Sequence, residues 1–239
     1  MNKIHTFLFC ISFCLFSTIN QSFAQNDSLV YKERYGASFG VDLFKLSRTA
    51  FDDNYTGFEV NADYRFTDEI YLAAELGNDQ YTFDESNLVV DSDGSYIKLG
   101  ANYNFYKNWI GMQNQIYGGF RIGLSSYSQT LKEFNFFTTD NTFEPDTQVV
   151  SREFNNLSAI WSEFQFGFKV ELFKNVYAAA HVQLKFLVSE TELQNFDNIF
   201  IPGFNITNDF SSIGAGWGYS LSYLIPFKTK RKTQSINPE

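Results

Sequence analysis

Cysteine is nearly absent from this chain of 239 residues: there are two, Cys10 and Cys14. Both fall in a stretch that reads as a secretion signal, so the mature chain is left with no disulfide and no thiolate chemistry. Neither follows the small-residue run of a lipoprotein cleavage site, and no acyl anchor is expected. Histidine is as scarce, with two in all; His5 leaves with the signal and His181 remains. One histidine and no cysteine exclude a zinc or copper cluster on ligand supply, and no cofactor is expected. Bases are outnumbered, 18 Lys and Arg against 27 Asp and Glu for a net charge of −9, which argues against a nucleic-acid partner. Beyond residue 24 no run of about 18 apolar residues occurs, so no ordinary membrane-spanning helix is expected.

What is present begins with Lys3 as a positive n-region and an apolar stretch over 4–19. Ser22-Phe23-Ala24 then places small residues at the third-last and last positions before a cut ahead of Gln25. Removing 24 of 239 residues leaves 215, enough for one domain or one closed barrel, and moves the charge to −10. The expected organisation is a signal at 1–24, a short segment at 25–34, a barrel at 35–227 and a basic tail at 228–239. The bases of that tail, Lys228, Lys230, Arg231 and Lys232, read as solvated or as touching lipid headgroups.

From 213 to 227 every second residue is large and apolar: Ile213, Ala215, Trp217, Tyr219, Leu221, Tyr223, Ile225 and Phe227. Gly214, Gly216, Gly218, Ser220 and Ser222 lie between them. Strand side chains alternate between faces, so this is one apolar face backed by a small, polar one. The pattern occurs eight times, over 35–43, 58–66, 70–77, 97–105, 116–124, 163–172, 178–186 and 213–227. Every strand charge falls on the face opposite the apolar one: Asp42, Glu59, Asp63, Arg65, Glu75, Lys98, Arg121, Glu163, Lys169, Glu171 and Lys185, with His181 beside them.

Connections after the second, fourth and sixth strands are short. Those after the first, third, fifth and seventh are long, at about 45–57, 84–95, 134–155 and 190–211. Tyr64, Phe66, Tyr103, Phe105, Trp109, Phe173, Tyr177, Tyr223 and Phe227 gather on the short-turn rim as an interfacial girdle. The predicted fold is all-β: an eight-stranded antiparallel up-and-down transmembrane β-barrel in the outer membrane of a Gram-negative envelope, ten-stranded if a long loop adds a hairpin.

Alternation alone does not say which face is inside, and a soluble lipocalin-like carrier would have the same period inverted. The aromatic rim, the Gly- and Ser-rich opposite face and the long–short loop alternation favour the membrane orientation. Gly218, Leu221 and Tyr223 also have the spacing of a last-strand signal for the barrel-insertion machinery, although twelve residues follow Phe227. The expected partners are therefore outer-membrane lipid and that machinery, with a protein or glycolipid at the long loops.

The charged face reads as a structural ion-pair network filling a narrow lumen, since unpaired charges there would each cost several kcal/mol. His181 invites comparison with lipid-modifying barrel hydrolases, with Glu163 or Glu171 as its acid, but Gln183 stands where the serine would be. Asp91-Ser92-Asp93-Gly94 resembles the start of a calcium loop; its twelfth position is Asn102 and a plain turn is the expectation. The long loops are unusually apolar. One carries Phe134, Phe136, Phe137 and Phe143; the last carries Phe196, Asp197, Ile199, Phe200, Ile201, Pro202, Gly203 and Phe204. Such side chains either pack on each other over the barrel mouth or form a binding loop.

Phe51-Asp52-Asp53, 73–78, 94–98, 195–198 and 201–205 together resemble an uncharacterised family of small outer-membrane barrels known only as a domain of unknown function. The resemblance spans about 35–227 and implies a barrel and an envelope location, with no activity attached. The expected role is non-enzymatic, structural or loop-mediated.

Overall fold

The computed structural model describes residues 28–85, 87–108, 112–135, 147–208 and 210–235, without the side chains of 28–31, 147 and 232–235. The expected signal at 1–24, Trp109 and the aromatic stretch at 136–143 lie outside these residues. Contacts divide the chain into residues 1–32 with 231–239, and residues 33–230. The described part of the first unit is strand; the second holds the barrel and its loops.

Eight antiparallel strands close into a barrel. They are β1 (Ser28–Asp42), β2 (Tyr55–Arg65), β3 (Ile70–Glu85), β4 (Leu88–Asn104), β5 (Gln115–Asn135), β6 (Thr147–Phe173), β7 (Val176–Glu190) and, after the miniature strands β8 (Phe200–Ile201) and β9 (Asn205–Ile206), β10 (Ile213–Ser235). Around the ring the order is β1-β10-β7-β6-β5-β4-β3-β2, so barrel strands consecutive in the chain are neighbours and the seam lies between β1 and β10. At that seam glycine has a steric reason: a Cβ on Gly36 would overlap the Ile225 carbonyl oxygen. The β6–β7 turn is two residues, Lys174 and Asn175, and Asn175 takes the left-handed φ of 68° that such tight hairpins require. The hairpin of the last loop, β8–β9, forms a separate two-stranded sheet, so the barrel has eight strands and not ten.

The two faces separate as the alternation requires. Phe166 (60% exposed), Trp217 (57%) and Leu76 (53%) point outward, whereas Glu163, Lys98 and Arg121 are at most 2% exposed. The charges are inside, and the inverted arrangement with an aromatic-lined calyx is not the one this barrel has. The outward apolar belt covers 70–76 on β3, 97–103 on β4, 116–124 on β5 and 213–227 on β10. Tyr64, Phe66, Tyr103, Phe105, Phe173, Tyr223 and Phe227 are exposed at its short-turn edge. Tyr177 is a correction: it is 2% exposed and faces inward with the Lys169 ammonium over its ring, because it shares parity with Ala179 and His181.

Three of the long connections differ from the sequence reading. The described residues of 84–95 and 134–155 are almost all strand, since β3 to β6 run on past the belt as a tall wall. There the outward face becomes Asn78, Ser95, Ser126 and Ser158. Both faces are then partly polar and the alternation fades, although the hydrogen-bonded register continues. The first connection is instead the helix α1 (Leu43–Phe51). Asp42 caps it, its carboxylate accepting from the Lys45 amide at 2.8 Å and satisfying a first-turn donor. Asp52 closes the other end by donating its N–H to the Arg48 carbonyl. The outer side of α1 reaches the barrel wall, where Phe44 packs on Trp217 at 4.2 Å between ring centroids. No helix among the described residues is long and apolar enough to cross a membrane.

Candidate functional site

The lumen charges assemble into layers. In the middle, Lys98 on β4 lies 3.2 Å from Glu59 on β2, bonds Glu75 on β3, and stands 4.0 Å from Glu163 on β6. Arg121 on β5 holds the other Glu75 oxygen at 3.1 Å, and Lys185 on β7 reaches Glu163 at 4.0 Å. Three acids thus face three bases, each contributed by a different strand. Neutral groups complete the network. Tyr96 donates to Glu59 at 2.6 Å, Gln165 donates to Glu163 at 2.7 Å and to Glu75 at 3.2 Å, and Trp161 donates to Glu163 at 3.4 Å. Charges removed from water this thoroughly are tolerable because they are mutually paired and hydrogen-bonded.

Toward the short-turn end the pairs are separate. Lys169 meets Asp63 at 2.5 Å, and Arg65 meets Glu33 at 3.1 Å. Arg34 bonds Glu171 at 2.6 Å and donates to Asn175 and to Gln113. The sequence reading places Arg34 in the segment ahead of the barrel; in the structure it is a lumen residue of β1. Between these layers lies a cavity of about 50 Å³, lined by residues that include Asp63, Glu75, Asn102, Arg121, Lys169 and His181. That is room for a few water molecules.

His181 bonds Gln183 at 2.7 Å through its Nε2. Glu163 and Glu171, the acids a hydrolase would need beside it, are committed to the networks above, and neither bonds His181 among the described residues. Asp42 lies across Gly218 from the His181 ring, but its carboxylate caps α1. Among the described residues no three His, Asp or Glu gather in a way that could hold a metal.

The last loop folds into the barrel mouth. Phe200, Ile201, Pro202 and Phe204 are all below 3% exposed; Ile201 and Phe204 pack with Tyr96, Tyr127, Leu157 and Trp161 in one cluster, and Phe200 lies 4.9 Å from Tyr81 between ring centroids. Its tip is pinned from both sides. Lys185 donates to the Gly203 carbonyl at 2.8 Å and the Phe204 carbonyl at 3.3 Å, while the Gly203 amide donates to Asp79 at 2.9 Å. Asp79, fully buried on β3, also takes the Lys45 ammonium of α1 at 2.7 Å and the Tyr55 hydroxyl at 2.6 Å. Burial alone would raise the Asp79 carboxyl. The Lys45 charge and the hydrogen bonds from Lys45, Tyr55 and Gly203 outweigh it and hold the group below its usual range. Further out, Gln129 receives the Ile199 amide at 2.9 Å and donates to the Asp197 carbonyl at 3.0 Å. Tyr127 donates to Asn198 at 2.7 Å. Phe196 stacks on Phe154, with 5.5 Å between centroids and 3° between planes.

Of the proposed binding-loop residues, Phe200, Pro202, Gly203 and Phe204 therefore form an inward plug. Phe196, Asp197 and Ile199 lie nearer the rim. Lys45, Tyr55, Asp79, Tyr96, Gln129 and Asn198 position the plug, and the sequence reading does not single them out. For Asp79, Tyr96 and Gln129 the available signal was inward parity on β3, β4 and β5 beyond the apolar belt.

On the outer side of the plug is a half-open cavity of about 560 Å³. Leu187, Leu193, Phe196 and Phe204 form its apolar surface, and Glu190, Glu192 and Asp197 its charged one. Partial burial pushes the Glu190 carboxyl up, with the hydrogen bond from Asn198 opposing and the Asp197 charge assisting. Phe210, at the lip, is 97% exposed.

Among solved structures, neisserial surface protein A is similar over 83% of this chain and 99% of its own, at 11% identity and a TM-score of 0.42. Ail, the attachment invasion locus protein of Yersinia pestis, covers 81% and 96% at 14% identity with a TM-score of 0.35. The N-terminal β-barrel domain of Pseudomonas aeruginosa OprF covers 80% and 98% at 12% identity with a TM-score of 0.34. No curated protein matches the chain. The profile of one family does match, over residues 1–230, and the chain belongs to that family, described as a domain of unknown function, DUF6048.

Proposed function

We propose that this chain is a non-enzymatic β-barrel of the outer membrane, with a lumen closed to ions and a role that is structural or carried by its long-loop end. One observation carries the reading: the exposed surface of the barrel is a continuous belt of Phe, Leu, Ile, Val and Trp, while its buried interior is charged. In water that belt would drive association; in hydrocarbon it is the surface a barrel needs, its strands hydrogen-bonded to a neighbour on either side around a closed ring. The lipid of the membrane is then a partner along the belt, and β10 is the strand the insertion machinery would read. Closure rests on the six-charge network and on the plug above it.

Fractionation with heat modifiability tests the location. The mature protein is expected in the outer membrane, migrating faster unheated than boiled. Recovery from the periplasm without a gel shift would reject it. In planar bilayers the purified barrel should pass no steady current, and a stable conductance would reject closure.

A further inference from the structure

The outward side of β7 lies lower than its neighbours. Its successive outward residues Ala178 and Ala180 are small and half-buried, while the strands on either side carry rings. The register sets Phe168 of β6 and Tyr219 of β10 against Ala180, and Phe166 and Trp217 against Val182 one step further from the short-turn rim. Between these two ridges runs an apolar groove of about 840 Å³. The β10 ridge is held in place by α1. Phe44 packs on Trp217 and lies 6.0 Å from Tyr219 between ring centroids, and the Tyr219 hydroxyl donates to Ser47 at 3.0 Å. From Val182 the floor continues to Val176, which faces the girdle residue Tyr223. Those six residues span about 20 Å. On a strand tilted by about 40° this is about 15 Å of membrane depth, one leaflet of a hydrocarbon core about 30 Å thick. At the foot of the groove Lys174, in the β6–β7 turn, is exposed and forms no ion pair among the described residues. Glu171, the acid nearest to it in sequence, is taken by Arg34. On the adjacent β10 the exposed Lys228 follows the girdle residue Phe227.

We infer that this groove is a binding site for one anionic glycerophospholipid of the leaflet at the short-turn rim, its acyl chain along β7 and its headgroup on the Lys174 ammonium. A chain lying on Ala178 and Ala180 meets ring faces on both sides as well as the floor, contact that a convex stretch of barrel wall cannot offer. The groove ends at the level of Phe173 and Tyr223, where aromatic side chains mark the boundary between hydrocarbon and headgroups. A lysine just beyond that boundary stands at phosphate height. It favours a headgroup of net negative charge over a zwitterionic one, whose own ammonium cancels most of the attraction. The inference deepens the reading of the belt as a lipid contact and rests on it: bulk lipid wets the whole belt, whereas this molecule is held in one place and in one copy.

The test titrates full-length mature protein, folded in a non-ionic detergent, with dioleoyl phosphatidylglycerol and counts bound lipid by native mass spectrometry. Dioleoyl phosphatidylcholine, with the same chains and no net charge, is the control. One saturable phosphatidylglycerol adduct is expected, held about fivefold more tightly than phosphatidylcholine. Lys174→Gln should erase that preference and leave the weaker binding of both lipids. Ala180→Leu raises the floor between the ridges and should weaken both lipids about fivefold. Ala74→Leu, outward on β3 and four strands away around the ring, should change neither. All three substitutions face lipid or water, so each variant is expected to keep its heat-dependent gel shift. Adducts that accumulate without saturation, equal binding of the two lipids, or an unchanged affinity in Ala180→Leu overturns the site. A protein dimer that Ala180→Leu abolishes also overturns it and assigns the groove to a second copy of the chain. Loss of the gel shift in the unmodified protein would instead reject the barrel reading, so the two failures are distinguishable.

Discussion

Replacing Lys98 by Met tests the lumen network at its centre. The ammonium is 2% exposed, 3.2 Å from Glu59, bonded to Glu75 and 4.0 Å from Glu163. The six-charge cluster is neutral, so the single substitution leaves one uncompensated buried negative charge. Methionine fills nearly the same volume, which keeps packing loss small and isolates the electrostatic effect. Breaking a buried pair by removing one partner costs about 3–5 kcal/mol, two to three and a half orders of magnitude in the folding equilibrium.

The informative companion is Lys98→Met/Glu59→Gln. It restores neutrality and leaves Glu75 with Arg121 and Glu163 near Lys185, while the new amide oxygen on β2 can still accept from Tyr96. The double variant is therefore expected to be more stable than the single one, recovering roughly half or more of the loss. Urea unfolding in lipid vesicles, followed by tryptophan fluorescence and the heat-dependent gel shift, reads both. A single-variant loss below about 1 kcal/mol, or a double variant no better than the single, would refute the claim that these charges are desolvated and mutually dependent.

Gly203 takes a φ of +82°, and a Cβ there would stand 2.6 Å from the Tyr96 ring and 3.0 Å from Trp161. Gly203→Val should unseat the plug, seen as faster proteolysis within 191–212 while the barrel keeps its gel shift. Asp79 has a folded-state pKa below its unfolded value, so its stabilising contribution is present above about pH 3.9 and is lost as pH falls through the depressed value. Protease protection of the plug should accordingly stay level from neutral pH to about 5 and fall only in stronger acid, with Asp79→Asn already less protected at about pH 7. Replacing 195–208 by a short Gly-Ser linker removes the plug but not the ion pairs below, and bilayer recordings are expected to remain silent. Asp42→Ala removes the cap of α1 and should cost about 1 kcal/mol in urea unfolding.

The barrel was legible because two chemistries segregate by parity. In the belt Phe164, Phe166 and Phe168 cannot share a face with Glu163, Gln165 and Lys169, so the pattern determines both strand and side. Where that contrast weakens, legibility ends. Residues 84–95 carry polar groups on both faces and read as loop, although the β3–β4 register continues through Asp84 to Glu85 and Leu88. Helix α1 was hidden because Leu43 continues the alternation of β1. Its start is marked by the Asp42 side chain turning back to an amide, an event with no period. The plug could be suspected from the density of Phe in the last loop, but its anchors could not. Asp79, Lys45 and Gly203 are remote in sequence, and three-dimensional closure brings them together. Parity marked the charges of the central lumen layer, yet it could not reveal that Glu75 would be shared between Lys98 and Arg121. Arg34 escaped it because β1 begins earlier than its apolar alternation does.

The seam between β1 and β10 also orders events in time. Every other contact in the ring joins barrel strands that are consecutive in the chain, whereas Gly36 and Ile225 are about 190 residues apart. Chain-closure entropy grows only logarithmically, so bringing those ends together from a loose chain costs about 2–3 kcal/mol more than forming a ten-residue hairpin. Once the consecutive strands have zipped, that separation shortens to the width of a curled sheet and most of the extra cost disappears. Assembly should therefore finish at the seam where Gly36 meets Ile225. A substitution such as Gly36→Val would leave the hairpins intact and arrest the chain as an open ribbon at the threshold of closure.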